Sequence, residues 1–157
     1  MSTEARHPRV GVAALIYNRD GKFLTGKRIG SHGAGKYSAT INLSGHLEYG
    51  ESFLACAERE TLEETGLKVK ALQHIATTND VFEAEKKHYI TIFVSCQMVD
   101  ESDEPQILEP QKCEGWYWKS WDDLKKIHAT ENNEEKLFLP LINLLGTADL
   151  EDLKPKV

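Results

Sequence analysis

The sequence predicts an α+β or α/β/α layered domain. Three observations predict it: apolar, β-branched runs stand before and after one uninterrupted helical stretch; a second apolar run with helical spacing follows near the C-terminus; and no repeat or linker divides the 157 residues. A chain of this length buries about 68–70% of the surface it exposes when unfolded, so one domain is expected over 1–157, with its core at about 9–146.

The elements follow in order. Val10 to Tyr17 is a strand-like apolar run, and Asn18-Arg19-Asp20-Gly21 is a hairpin turn with glycine placed for a positive φ. Lys22 to Arg28 returns as the partner strand. Ile29 to Lys36 carries three glycines without the spacing of a phosphate-cradling Walker loop, so it reads as a connection. Lys27, Arg28 and Lys36 beside it either meet phosphate oxygens or are solvated surface charges. Tyr37 to Leu43 is a short β-prone segment. Glu51 and Ser52 open a helix that Gly66 ends in a left-handed stop. Leu67 to Ala76 and His88 to Val99 are the longest strand candidates, joined by a polar connection from Asn79 to Lys87. Asp100 to Cys113, acidic with two prolines, reads as an exposed loop. Trp116 to Trp118 is a short strand, and Trp121-Asp122-Asp123-Leu124 opens a brief helix whose acids suit its first turn. Glu134 to Leu145 has helical spacing at Leu137, Leu141, Leu144 and Leu145, with Pro140 interrupting or kinking it, and the tail from Gly146 is expected to fray.

Composition bounds the function. Apolar content of 40% and charged content of 28% are globular values. MSTEARHPR lacks the apolar run of a signal peptide, and no stretch approaches the ~18 apolar residues of a membrane span. Cys56, Cys96 and Cys113 have no zinc-type or disulfide-type spacing, which fits a reducing cytoplasm. Net charge of −6 argues against a nucleic-acid duplex as partner but admits a small nucleotide, because a metal can supply positive charge locally.

The chemistry concentrates in Gly45 to Leu67, GHLEYGESFLACAERETLEETGL. At ~100° per residue, Phe53, Cys56 and Ala57 share a face with Glu60, Glu63 and Glu64. Carboxylates at i, i+3 and i+4 have Cβ atoms about 5–6 Å apart and repel, and partial burial raises that cost unless a cation intervenes. A hard divalent ion answers the problem. Mg²⁺ takes oxygen ligands, keeps several waters and uses one or two carboxylates plus substrate phosphates, so the pattern points to phosphate chemistry.

The stretch resembles the signature of the Nudix hydrolases: a glycine, five residues, a glutamate, seven residues, then Arg-Glu-apolar-any-Glu-Glu-any-Gly-apolar. Gly45, Glu51, Arg59, Glu60, Glu63, Glu64 and Gly66 match it, and Thr61 stands where the family usually has an aliphatic residue. Identities at roughly 6–7% usage each would coincide by chance on the order of 10⁻⁸ per starting position. GKRIGSHGAGKY, HLEYGES, KKHYITIF and EPQKCEGWYWKSWDDL further resemble the MutT-type branch of nucleotide triphosphate diphosphatases whose vertebrate member acts on guanine, oxidised guanine and thiopurine nucleotides. Two departures stand out: Tyr37 to Gly45 is longer than the usual segment and lacks its Pro-Gly-Gly, and Leu139-Pro140 follow Phe138 where that member has Trp and Gly.

The resemblance implies a mixed sheet sandwiched between helices, a homodimer, and Mg²⁺- or Mn²⁺-assisted cleavage of a nucleoside triphosphate to monophosphate and pyrophosphate. Glu60 and Glu64 would hold the ion, with Glu63 as further ligand or base. The carbonyl of Gly45 would be an extra ligand, and Arg59 would orient the carboxylates. Glu114 is either a late ligand or base or a surface acid. Thr91, Leu43 and Phe138 line a purine pocket or are core. Rival readings are another diphosphate substrate (ADP-ribose, a nucleotide sugar, a dinucleotide, a capped RNA) and a binding module without turnover, which the retained acids disfavour.

Overall fold

The computed structural model describes residues 7–30, 33–39, 46–130 and 134–147. Within these residues seven strands and three helices follow one another as β1 (Arg9–Tyr17), β2 (Phe23–Arg28), β3 (Lys36–Ala39), α1 (Phe53–Thr65), β4 (Val69–Phe82), β5 (Lys87–Met98), β6 (Cys113–Lys119), α2 (Trp121–Ala129), β7 (Lys136–Leu137) and α3 (Leu139–Thr147). They make the mixed, helix-covered α+β fold. Among the described residues no helix is long and apolar enough to cross a membrane.

The sheet runs β4-β5-β1-β2-β3-β7, with β6 on β2. β1 is parallel to β5, from Arg9↔Tyr89 to Tyr17↔Gln97, and both are central. Burial on two faces explains why VGVAALIY is apolar at successive positions rather than alternating. Ala13, Leu15 and Tyr17 face Trp121, Leu124, Leu141 and Leu144 of α2 and α3. Val12, Ala14 and Ile16 face Cys56 and Ala57 of α1. β1 meets β2 at Tyr17↔Phe23, and then β3 takes over through Thr25↔Ala39 to Lys27↔Tyr37. The sheet therefore divides between β1 and β3, at the end where Arg28 sits.

Five expectations are corrected. Asn79 to Phe82 is strand, paired with Ile90 to Lys87, and only the four residues after Phe82 turn. Its polarity misleads because the buried Asp80 is satisfied by side chains from elsewhere. Lys136–Leu137 pairs in parallel with β3, so the expected helix from Glu134 begins only at Leu139. Pro140 falls in its first turn, where the missing N–H has no intrahelical acceptor to lose, so it stands at the helix start rather than within its interior. Gly146 and Thr147 remain helical. The strand around Trp116 is longer than expected, from Cys113 to Lys119.

Candidate active site

α1 is delimited by its own ends. The Ser52 hydroxyl accepts from the Ala55 N–H at 3.1 Å, and Gly66, at φ 75°, returns its N–H to the Leu62 carbonyl. The buried stripe comprises Cys56, Ala57, Glu60, Thr61, Glu64 and Thr65. Glu60 is 7% exposed and Glu64 1%. Glu63 departs from the expectation: its side chain is 58% exposed. The stripe is centred on Ala57, Glu60, Thr61 and Glu64, and at ~100° per residue Glu63 falls beyond its edge. Two carboxylates point inward, with a third at the rim.

Arg59 organises these acids. Its Nε and Nη2 donate to the two oxygens of Glu51 at 2.7 and 2.9 Å, and Nη1 donates to Glu60 at 2.8 Å and to Glu63 at 3.4 Å. Glu51 accepts as well from the Glu48 N–H at 3.2 Å, which ties the loop before the helix to the helix itself. The guanidinium beside it pulls the Glu51 carboxyl down to about 2. Burial pushes Glu60 the other way, above the usual carboxylate range, against the opposing pull of Arg59.

A pH dependence follows. A depressed Glu51 contributes stability that is complete above the ordinary carboxylate range and disappears as pH falls toward about 2. Glu60 has the opposite sign, since its protonation on acidification relieves a cost. Urea unfolding across pH 5 to 2 should therefore show stability falling in the wild type and a shallower fall in Glu51→Gln.

Thr61 lies in the stripe at 0% exposure, with no hydrogen-bond partner for its hydroxyl. An isosteric apolar side chain removes a desolvated polar atom at no cost in volume. Thr61→Val should stabilise the fold by about 1 kcal/mol, read as a higher urea midpoint at unchanged m.

Arg28, the last residue of β2, lies beneath the surface and is not a solvated surface charge. It is 6% exposed, its guanidinium stacks 4.0 Å over the Phe138 ring, and burial lowers its pKa to about 10 while the negative charge of Glu64 opposes the shift. It stays cationic at neutral pH beside a buried acid. An aromatic run leads away from it: Phe138 to Phe82 at 5.2 Å, Phe82 to Tyr89 at 6.1 Å, and Tyr89 to His46 at 6.1 Å. Thr91 is 1% exposed, and its hydroxyl donates to the Asp80 carboxylate. Thr78 and Asn143 donate to the same carboxylate at 3.1 and 2.9 Å. Lys27 and Glu114 pair at the surface at 3.7 Å. Lys36 starts β3 opposite Lys136, along the surface that Ile127 and His128 line. Leu43 and Gly45 lie outside the described residues.

Sequence reasoning missed Asp80, Phe82, Tyr89 and Asn143. The alternation Thr78, Asp80, Phe82 would have indicated one strand face, but the polarity around it concealed the pattern.

Among the described residues no three His, Cys, Asp or Glu side chains converge as a metal cluster. The donor set still fits a hard divalent cation. Glu60 and Glu64 are buried carboxylates one helical turn apart, and the charge of Glu60 is disfavoured by its surroundings. A small ion that keeps its waters needs no more than one or two such ligands.

Comparison with known proteins agrees with this geometry. The family model described as NUDIX domain matches residues 7–141. The chain is 30% identical over 150 residues to an isopentenyl-diphosphate Delta-isomerase of Serratia proteamaculans (strain 568), covering 87% of this chain and 76% of that protein. It is 40% identical over 68 residues to an NAD-capped RNA hydrolase, NudC, of Chromobacterium violaceum, a match to 43% of this chain but only 24% of that protein. The crystal structure of a MutT NUDIX hydrolase from Burkholderia pseudomallei superposes with a TM-score of 0.63 at 27% identity, covering 76% of this chain and 88% of that one.

Proposed function

The chain belongs to the NUDIX domain family and is a Nudix-type pyrophosphohydrolase, and from that premise we propose that it hydrolyses a nucleoside triphosphate to the monophosphate and pyrophosphate. The observation that carries this reading is the inward placement of Glu60 and Glu64 on α1. Family members generally use divalent metals such as Mg²⁺. For this chain we assign Mg²⁺, with Mn²⁺ as substitute, to Glu60 and Glu64, completed by the Gly45 carbonyl and, from a later strand, Glu114. When bound, the ion polarises phosphate oxygens and acidifies water.

The chain's own groups do the rest. Glu63, at the solvent rim and held by Arg59, takes the proton of the attacking water or adds a ligand. Arg59 keeps Glu51, Glu60 and Glu63 in register through charge-assisted hydrogen bonds. Arg28, cationic and close to Glu64, receives phosphate charge, and Lys27 supplements it from the surface. The base pocket is assigned to Phe138 and Thr91, with Leu43, outside the described residues, carried over from the family resemblance. Resemblance to the MutT-type branch supports a purine base, including oxidised or modified guanine. A single domain, a homodimer and a cytoplasmic location complete the proposal.

The test is a panel with Mg²⁺ or Mn²⁺: canonical and oxidised purine triphosphates, ADP-ribose, a nucleotide sugar, a dinucleotide, NAD-capped RNA and isopentenyl diphosphate, with products identified. Highest kcat/KM on a triphosphate with pyrophosphate released supports the reading, whereas preferential turnover of any other member overturns it. On the preferred nucleotide, Arg28→Ala should raise KM about tenfold or more, the loss of a charged hydrogen bond. An unchanged KM removes Arg28 from the site.

A further inference from the structure

A groove of about 750 Å³ lies away from these residues, between the β1–β2 turn, the loop after β5, and β6. Trp116 and Trp118 project from the same face of β6, half-buried against the core under α1, and they line it. Asp20, Glu101, Asp103 and Glu104 line it as well, with Arg19 as the one Lys or Arg among the described lining residues. No described Lys or Arg forms an ion pair with any of these four acids.

The walls are built. The Gln106 N–H donates to the Thr65 carbonyl at 2.8 Å, and the Trp116 indole N–H donates to the Gln106 carbonyl at 2.9 Å. The Ser102 N–H and hydroxyl both donate to Asp100. Trp116 packs so closely on Gly26 that a Cβ there would lie 2.6 Å from its ring. The acidic loop is thus pinned to the end of α1 and to a clamped indole.

We propose that this groove docks a short Lys- or Arg-rich segment of another protein. Carboxylates that no described cation pairs, beside partly exposed indole faces, are complementary to an ammonium or guanidinium, which gains both a cation–π contact and charge-assisted hydrogen bonds. The methylene stems of such side chains cover the apolar wall of Met98, Pro105 and Ile107. The volume exceeds one side chain, which favours a segment over a single amine. No described lining residue belongs to the proposed catalytic set, so this inference stands independently of the diphosphatase reading.

The experiment is fluorescence anisotropy of the full chain with a dye-labelled octapeptide alternating Lys and Leu, at low and high salt, against a Glu/Leu control. Expected are saturable binding of the basic peptide alone, weakened by salt, and a loss of about tenfold or more in affinity in the surface variant E101Q/D103N/E104Q. Trp118→Leu, checked for its fold by circular dichroism, should weaken binding independently of charge, and nucleotide turnover by the triple variant should be unchanged. Absence of saturable binding overturns the proposal. So does equal binding by the triple variant, or loss in Glu63→Gln instead, which would place the peptide on the catalytic acids. Binding of spermine with none of the peptide would identify a small-amine site and equally overturn it.

Discussion

Glu64→Gln is expected to lower kcat by about 10²–10³-fold or more while the protein stays folded. Glu64 is 1% exposed on the inner face of α1, and glutamine keeps its shape while removing its charge. Glu64 also supplies the negative charge that favours the buried Arg28 cation, so the variant should lose some thermal stability while circular dichroism shows the fold retained. The variant also separates binding from chemistry. Mg²⁺ should raise the unfolding temperature of the wild type, because an ion that binds only the folded state stabilises it by mass action, and should raise it much less in the variant. Turnover retained within a few-fold in a folded protein would remove Glu64 from the machinery.

Arg59→Ala is expected to cost about 3 kcal/mol in urea unfolding at neutral pH, and Arg59→Lys less. The guanidinium joins Glu51, 13% exposed at its side chain, to Glu60, 9% exposed, with contacts of 2.7 and 2.8 Å. Alanine leaves two partly buried carboxylates facing each other without a counter-charge. Lysine restores the charge but cannot reproduce the two-pronged grip on Glu51. Because both acids would then take up protons more readily, the deficit should shrink as pH falls below neutral. A deficit independent of pH would mean that Arg59 acts by packing alone.

The limits of sequence reading follow from the same residues. Ser52 and Gly66 identify the ends of α1, and the Asn18 to Gly21 turn is legible, because each rests on hydrogen bonds within a few residues. The unbroken apolar run of β1 already implied cover on two faces. Glu63 was misplaced because an idealised wheel gives angles but not the width of the contact surface. Arg28, at the end of its strand, read as either a phosphate contact or a solvated charge, because its partner Phe138 is more than a hundred residues away.

Local periodicity and the spacing of Gly45, Glu51, Arg59, Glu60, Glu63, Glu64 and Gly66 determined the layered α+β class, the helix that carries the acids and the family, since each is written in neighbours along the chain. Tertiary structure alone decided that Glu60 and Glu64 are buried while Glu63 reaches solvent, that Arg28 stacks on Phe138, and that Asp80 collects Thr78, Thr91 and Asn143. These depend on desolvation and on contacts between segments brought together when strands distant in sequence pair, and no single stretch of chain encodes them.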